Sequence, residues 1–227
     1  MSQSRVSSTH GSEPVDAGGR GVVPGESVTG ASVIADPGPV GLAAFAMTTF
    51  MLSVFNTNML SSKLALAVLP LALFYGGLVQ LLAGMWEFRN GNTFGALAFS
   101  SFGAFWLSYW YLVDHIADKL PSGDAHKAVG LFLLGWAIFT AYMTIASLRT
   151  TTAIAAVFVA LTITFVLLMI GAFMTGSSAE DWTKIGGWAG LVTAVLAWYA
   201  SFAGVTNATY TRTMLPTWPL DRPRRLS

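Results

Sequence analysis

The sequence contains no cysteine and few charged residues, and each shortage excludes a class of protein. Without cysteine there is no disulfide framework, no thiolate nucleophile and no cysteine-based metal site. Charged residues make up 10% of the 227 residues, whereas a soluble domain carries about a quarter. Hydrophobic residues make up 54%, and from residue 40 onward they form blocks of about twenty, the length that a helix needs to cross a bilayer. The composition therefore predicts a membrane protein.

Sequence signatures of catalysis are also missing. The chain has no nucleotide-binding loop, no Ser-His-Asp set and no pair of carboxylates at catalytic spacing. His115 and His126 are too far apart and too isolated to indicate a metal site. The net charge of +1 says little about partners. We therefore expect no enzyme activity, no cofactor, no metal and no nucleic-acid partner.

Six apolar blocks predict six transmembrane helices, and hence an all-α, multi-pass protein of the cell membrane. The predicted spans cover residues 40–60, 65–87, 93–113, 128–148, 152–174 and 184–207. Residues 1–34 are rich in Ser, Gly and Pro and predict a disordered N-terminal tail without the apolar core of a signal peptide. We expect residues 35–210 to form the transmembrane domain and residues 211–227 a basic C-terminal tail.

The basic residues sort by type between the two sides of this six-span arrangement. The arginines all fall on one side: Arg5, Arg20, Arg89, Arg149, Arg212, Arg222, Arg224 and Arg225. The lysines all fall on the other: Lys63, Lys119, Lys127 and Lys184. Because the loops richer in Lys and Arg stay in the cytoplasm, this sorting predicts that both termini are cytoplasmic.

The predicted spans contain no deeply placed Lys, Arg or His, so their polar groups are neutral. This pattern argues against a proton relay of buried ionisable side chains and against a fixed cationic site. Thr48 lies on the same helical face as Phe45, and Gln80 lies on a face of small residues that ends at Glu87. Such groups either line a route for a weakly bound solute or bond to their own backbone and neighbouring helices. We expect Glu87 to form an interfacial pair with Arg89.

Four stretches resemble the acetate uptake transporter family. The first is "DPGPVGL" at residues 36–42, where the family motif reads Asn-Pro-Ala-Pro-Leu-Gly-Leu, and the most specific is "FYGGLVQLLAGMWEFRNGNTFGALAFSSFGAFW" at residues 74–106. "GWAIFTAYM" at 135–143 and "GWAGL" at 187–191 are similar to later spans. The resemblance covers residues 35–216.

This resemblance implies six-helix protomers that form hexamers, each with its own pathway narrowed by apolar side chains. By motif, the constriction is implied to consist of Phe45, Phe102 and Leu161, with Phe102 standing where the family usually has tyrosine. Asp36 stands where the family has asparagine. A carboxylate there can cap the first helix, since the dipole favours it, or contact the solute directly.

The resemblance implies uptake of acetate and related short carboxylates such as succinate, by a proton-coupled or channel-like route. An alternative is a six-helix channel for a small neutral or ammonium-type solute such as urea or ammonia. A third interpretation is a membrane sensor or scaffold. The partners that we expect are small carboxylates, protons, the lipid bilayer and further copies of the chain. The expected solute-contacting residues are Asp36, Phe45, Thr48, Gln80, Phe102 and Leu161.

Overall fold

The computed structural model describes residues 34–121 and 123–220 and contains six helices that are long and apolar enough to cross a membrane. These are α1 Gly38–Asn56, α2 Ser62–Asn90, α3 Thr93–Lys119, α4 Ala125–Ser147, α5 Thr152–Phe173 and α6 Ser177–Thr209. The predicted all-α fold with six spans is confirmed. The predicted disordered tail lies outside the described residues, apart from its last position.

Helix α2 changes its winding along its length. It starts as a 3-10 helix at Ser62–Val68, continues as an α-helix at Leu69–Leu73, widens to a π-helix at Phe74–Val79 and ends as an α-helix at Gln80–Asn90. Pro70 stands in the first turn of the α-helical part, where its missing N–H leaves no intrahelical hydrogen bond unmade. The last part of α2, Gln80–Asn90, is a regular α-helix that carries Gln80 and Glu87.

The turn between α2 and α3 is short and defined by two residues. Gly91 ends α2 in the left-handed conformation, with φ of 75°, which glycine adopts without steric cost. Asn92 caps α3, since its Oδ1 accepts a hydrogen bond from the backbone N–H of Gly95 at 3.0 Å. The two helices consequently pack as an antiparallel pair.

The six helices form a ring in which α1 packs against both α2 and α6, and the remaining neighbours in sequence also contact one another. Glycines allow close approach at two of these contacts. A Cβ on Gly187 of α6 would lie 2.7 Å from the backbone of Thr57, and a Cβ on Gly103 of α3 would lie 2.6 Å from the backbone of Leu81. The N-termini of α1, α3 and α5 meet the C-termini of α2, α4 and α6 at what we term the first end, and the opposite edge is the second end.

The chain after α6 returns across the first end and pairs with the loop between α4 and α5. The N–H of Thr152 donates to the carbonyl of Trp218, and the N–H of Leu220 donates to the carbonyl of Thr150, both at 2.9 Å. The side chain of Asn207 fixes the returning segment, because its Oδ1 accepts hydrogen bonds from the backbone N–H groups of Met214 and Leu215. Residues 211–220 therefore form part of the rim of the first end.

Candidate functional site

A cavity of about 370 Å³ opens at the first end, and we call it the first vestibule. The beginnings of α1, α3 and α5 line it, together with the last turns of α2 and small residues of α6. The returning C-terminal segment contributes Thr217. Helix starts and helix ends both border this cavity, so their opposite dipole charges largely offset each other and the side chains decide its polarity.

A second cavity, of about 400 Å³, opens at the second end and is called the second vestibule. Its wall is mostly apolar and includes Leu52, Phe105 and Phe165. Its polar members include Asn56 and His126. The two vestibules are thus similar in size but differ in the chemistry of their walls.

Between the vestibules lies a cluster of apolar side chains that we call the plug, formed by Phe45, Phe102, Leu161, Phe105 and Phe165. Phe45, Phe102 and Leu161 line the first vestibule, and Phe105 and Phe165 line the second. Each is at most 5% exposed. The rings of Phe102 and Phe165 stack with centroids 6.4 Å apart, and those of Phe105 and Phe165 meet edge to face at 5.3 Å. The plug is therefore about two side chains thick.

Phe102 lies at the centre of the plug. Its ring contacts Phe45 at a centroid distance of 5.8 Å and Phe139 at 5.3 Å. The three residues expected at the constriction therefore border one cavity, and two of them touch. Sequence reasoning missed Phe105 and Phe165. Spacing offers a signal in retrospect, because Phe105 stands three residues after Phe102 and Phe165 four after Leu161, each on the same helical face.

Gln80 faces the first vestibule from α2. The side chain is 1% exposed, and its Oε1 has no hydrogen-bond partner among the described residues. A buried amide without a partner costs about 1–3 kcal/mol, so such groups usually serve a ligand or water. The unpartnered Oε1 accepts from a donor such as water or the O–H of a carboxylic acid, and the N–H₂ of the same amide can donate to a carboxylate, which makes Gln80 a candidate for solute binding.

Thr48 lies apart from both vestibules. Its side chain is fully buried, and its hydroxyl donates to the carbonyl of Ala44 in its own helix at 2.9 Å. It packs against Gly76, where a Cβ would lie 2.5 Å from the Thr48 Oγ1. The hydroxyl is thus engaged in the contact between α1 and α2.

Asp36 lies at the rim of the first vestibule and is exposed. Its Oδ1 accepts a hydrogen bond of 2.8 Å from the backbone N–H of Gly38, the first residue of α1. This is a bond to one of the unpaired donors of a helix start, as a capping role predicts. The carboxylate also borders the cavity, so the geometry serves both of the roles considered for it.

Glu87 is buried in the wall of the first vestibule, at 1% exposure. The expected pair with Arg89 is wrong: Arg89 is exposed, and the described residues show no ion pair between the two. Residues two apart on a helix point in different directions, which explains the separation. The carboxylate instead accepts from the side-chain amide of Asn90 at 3.5 Å and interacts with that of Asn92.

The described residues contain no group of three His, Asp or Glu side chains that could hold a metal ion. His126 lines the second vestibule, and His115 stacks on Tyr111 with ring centroids 4.7 Å apart. The polar groups that converge at the site are therefore amides, hydroxyls and carboxylates that do not form a set of metal ligands.

A ring of six membrane-spanning helices with a vestibule at each end and an apolar plug between them is the architecture of a membrane transport protein. The GPR1/FUN34/yaaH family model matches residues 19–222. The chain belongs to this family.

Solved and curated relatives agree with this assignment. The solved structure described as the bacterial acetate channel SatP has a TM-score of 0.74 with this chain and 34% sequence identity, covering 81% of this chain and 99% of that one. The succinate-acetate/proton symporter SatP of Escherichia coli K12 is 36% identical over 189 residues, which are 82% of this chain and 97% of that protein. The ammonia transport outward protein 2 of Saccharomyces cerevisiae is 42% identical over 180 residues, which are 76% of this chain and 62% of that protein.

Proposed function

We propose that the protein carries acetate and related short carboxylates, such as succinate, across the cell membrane. The plug between two vestibules is the observation that carries this proposal. Relatives named as an acetate channel and as a succinate-acetate/proton symporter support the solute class. Large apolar side chains exclude water from a narrow passage, so a small solute crosses only when its hydration is replaced locally.

For a carboxylate solute, polar groups of the first vestibule replace the lost water of hydration. The side-chain amide of Gln80 donates to the solute beside the plug. No Lys or Arg side chain lines this cavity among the described residues. Binding is consequently weak, as rapid passage requires. The solute then passes between Phe45, Phe102 and Leu161.

Transport is coupled to protons or proceeds as in a channel, since one relative is described as a channel and another as a proton symporter. The first end faces the cytoplasm. Support comes from the described charges, since Arg89, Arg149 and Arg212 lie at this end and the four lysines lie near the other. The protein acts as a homo-oligomer, a hexamer by resemblance. Apolar side chains such as Ile145, 72% exposed, cover the outer faces that lipid and neighbouring protomers contact.

An ammonium-type solute is a second candidate, because one relative at 42% identity is named as an ammonia transport protein. Two features of the first vestibule point in opposite directions. Its described residues include no histidine, which argues against an ammonia-conducting pore, whereas Asp36 and Glu87 in the same wall attract a cation. Competition separates the candidates: excess acetate inhibits succinate uptake if both share the pathway, whereas excess ammonium does not.

Uptake of radiolabelled succinate into proteoliposomes tests the proposed function. Succinate is preferred to acetate because neutral acetic acid crosses lipid unaided. We expect uptake above that of protein-free vesicles, and accumulation when the outside is acidified while potassium and valinomycin hold the membrane potential at zero. Uptake equal to that of protein-free vesicles at every pH would contradict the proposal.

A further inference from the structure

Glu87 is the one acidic side chain that the wall of the first vestibule buries. It stands near the end of α2 at 1% exposure, on the same face as Gln80 and one cavity length from the plug. Its Oε1 lies close to the starts of two other helices: a Cβ on Gly38 of α1 would be 3.6 Å away, and a Cβ on Gly95 of α3 would be 2.7 Å away. Every solute that uses this vestibule therefore passes near its carboxyl group.

Among the described residues, the surroundings of Glu87 contain no cation that would cancel its charge. The side chains that bond to it are the neutral amides of Asn90 and Asn92. From α5 and the loop before it, the cavity receives the hydroxyls of Thr150 and Thr151. Among the described residues, the other acidic side chain in the wall is Asp36, which precedes α1.

The three arginines that the structure describes at this end lie outside the wall of the cavity. Arg89, Arg149 and Arg212 are exposed and do not line the cavity. Charges exposed to water are screened strongly by solvent and salt, whereas a charge in a buried wall is screened much less. The acidic side chains that border the vestibule are therefore Asp36 at the rim and Glu87 in the buried wall, and the buried carboxylate is the one whose repulsion of anions is least screened.

We propose that Glu87 sets the charge selectivity of the pathway by disfavouring dianions relative to monoanions. This inference rests on the proposed function, and it concerns how the same vestibule ranks its solutes. Coulomb repulsion is proportional to the charge of the solute, so a fixed carboxylate opposes a dicarboxylate twice as strongly as a monocarboxylate at equal distance. The plug sorts solutes by size, and Glu87 sorts them by charge.

A purely structural role for Glu87 is the competing explanation, because its carboxylate joins the end of α2 to the start of α3 through two amides. Glu87→Gln separates the two roles. Glutamine has the same length and retains an oxygen that accepts from Asn90, but it carries no charge. A structural role would change the amount of folded protein, whereas a charge filter changes the ratio of two solutes.

Two solutes of similar length but different charge provide the measurement. Succinate carries two charges at pH 7.5, and its monomethyl ester carries one. We would measure initial uptake of both radiolabelled solutes into proteoliposomes at pH 7.5 on both sides, with the variant quantified by gel filtration. We expect Glu87→Gln to raise the ratio of succinate to monomethyl succinate uptake by roughly tenfold, which corresponds to about 1.4 kcal/mol.

Glu180→Gln is the matched control, because it removes a carboxylate that is exposed near the second end. We expect it to leave the ratio unchanged. An unchanged or lower ratio in Glu87→Gln, with both solutes still transported, would overturn the charge filter and leave the proposed function intact. Failure of the wild-type protein to transport either solute would instead refute the proposed function, and the filter with it.

Asn92→Asp keeps the inference testable if Glu87→Gln does not fold. Aspartate also caps a helix, so the bond to the N–H of Gly95 is preserved while a third carboxylate joins Asp36 and Glu87 in the wall. We expect the ratio of succinate to monomethyl succinate uptake to fall below that of the wild-type protein. A ratio that stays the same would overturn the inference independently of Glu87→Gln.

Discussion

The two vestibules have nearly equal volumes, about 370 and 400 Å³, but different walls. The first carries Gln80 and two carboxyl groups, whereas the second is mainly aromatic and aliphatic. Cavity size therefore does not distinguish the two ends, and polar chemistry does. Under the proposed function, recognition of the solute is therefore concentrated at the first end, while the second end mainly gives access to the plug.

The largest expected effect comes from opening the barrier that keeps the two vestibules separate. We expect Phe102→Ala to leave assembled protein in the membrane and to increase uptake of succinate relative to acetate, because a wider passage admits the longer solute. A ring that only fills the core would behave differently, since Phe→Ala in a core costs about 3–5 kcal/mol and lowers the amount of folded protein. Competition uptake normalised to gel-filtered protein measures both outcomes.

Phe139→Ala is the matched control for this variant. Phe139 touches the ring of Phe102 but lines neither vestibule, so its loss affects packing without widening either cavity. We expect its acetate-to-succinate ratio to match that of the wild-type protein. Phe45→Ala should act in the same direction as Phe102→Ala, and Leu161→Ala more weakly. An unchanged acetate-to-succinate ratio in both Phe45→Ala and Phe102→Ala would show that the plug does not select solutes by size.

A second, smaller effect compares the two vestibules directly. Replacing an amide by leucine in each gives Gln80→Leu at the first end and Asn56→Leu at the second. A hydrogen bond to a charged group contributes about 1.5–3 kcal/mol, so we expect Gln80→Leu to raise the half-saturating succinate concentration by roughly tenfold or more. Asn56→Leu should change it little. Equal effects of the two variants would mean that recognition is shared between the ends.

The smallest effect concerns the rim of the first vestibule. Asp36→Asn should keep or raise uptake, since asparagine also bonds to the N–H of Gly38 and removes a charge that repels anions. Asp36→Ala should lower the free energy of unfolding by about 1 kcal/mol, the usual scale for a lost cap. Thermal unfolding in detergent and vesicle uptake measure the two quantities. Loss of uptake in Asp36→Asn at normal protein levels would show that the charge itself takes part in transport.

The six helices were predictable because apolar blocks long enough to span a bilayer have few alternatives. The residues at which the helices begin and end were less predictable. Helix α6 begins at Ser177, before its apolar block, because the polar stretch "SSAEDWTK" is helical outside the core of the span. The pair of Phe45 and Phe102 came from the family resemblance. Phe165 was missed because α5 is apolar on every face, so no periodicity marks the side that meets the pathway.

Glu87 shows which part of a site a sequence does not specify. Helical spacing correctly put it on the buried face with Gln80. Its partners could not be read from spacing, because Asn92 reaches it only after the chain reverses at Gly91. Burial and pairing of a charge depend on such tertiary contacts, and a local pattern suggested the nearest arginine instead.

The central claim is that the plug separates two vestibules that open to opposite sides of the membrane. The absence of native cysteine makes a direct measurement possible. Ala200→Cys places a thiol in the first vestibule and Ala172→Cys one in the second, and each is treated with a small membrane-impermeant methanethiosulfonate in right-side-out and inside-out vesicles. We predict that Ala200→Cys reacts only from the cytoplasmic side and Ala172→Cys only from the outside. Reaction of either thiol from both sides, with Phe102 intact, would contradict the account.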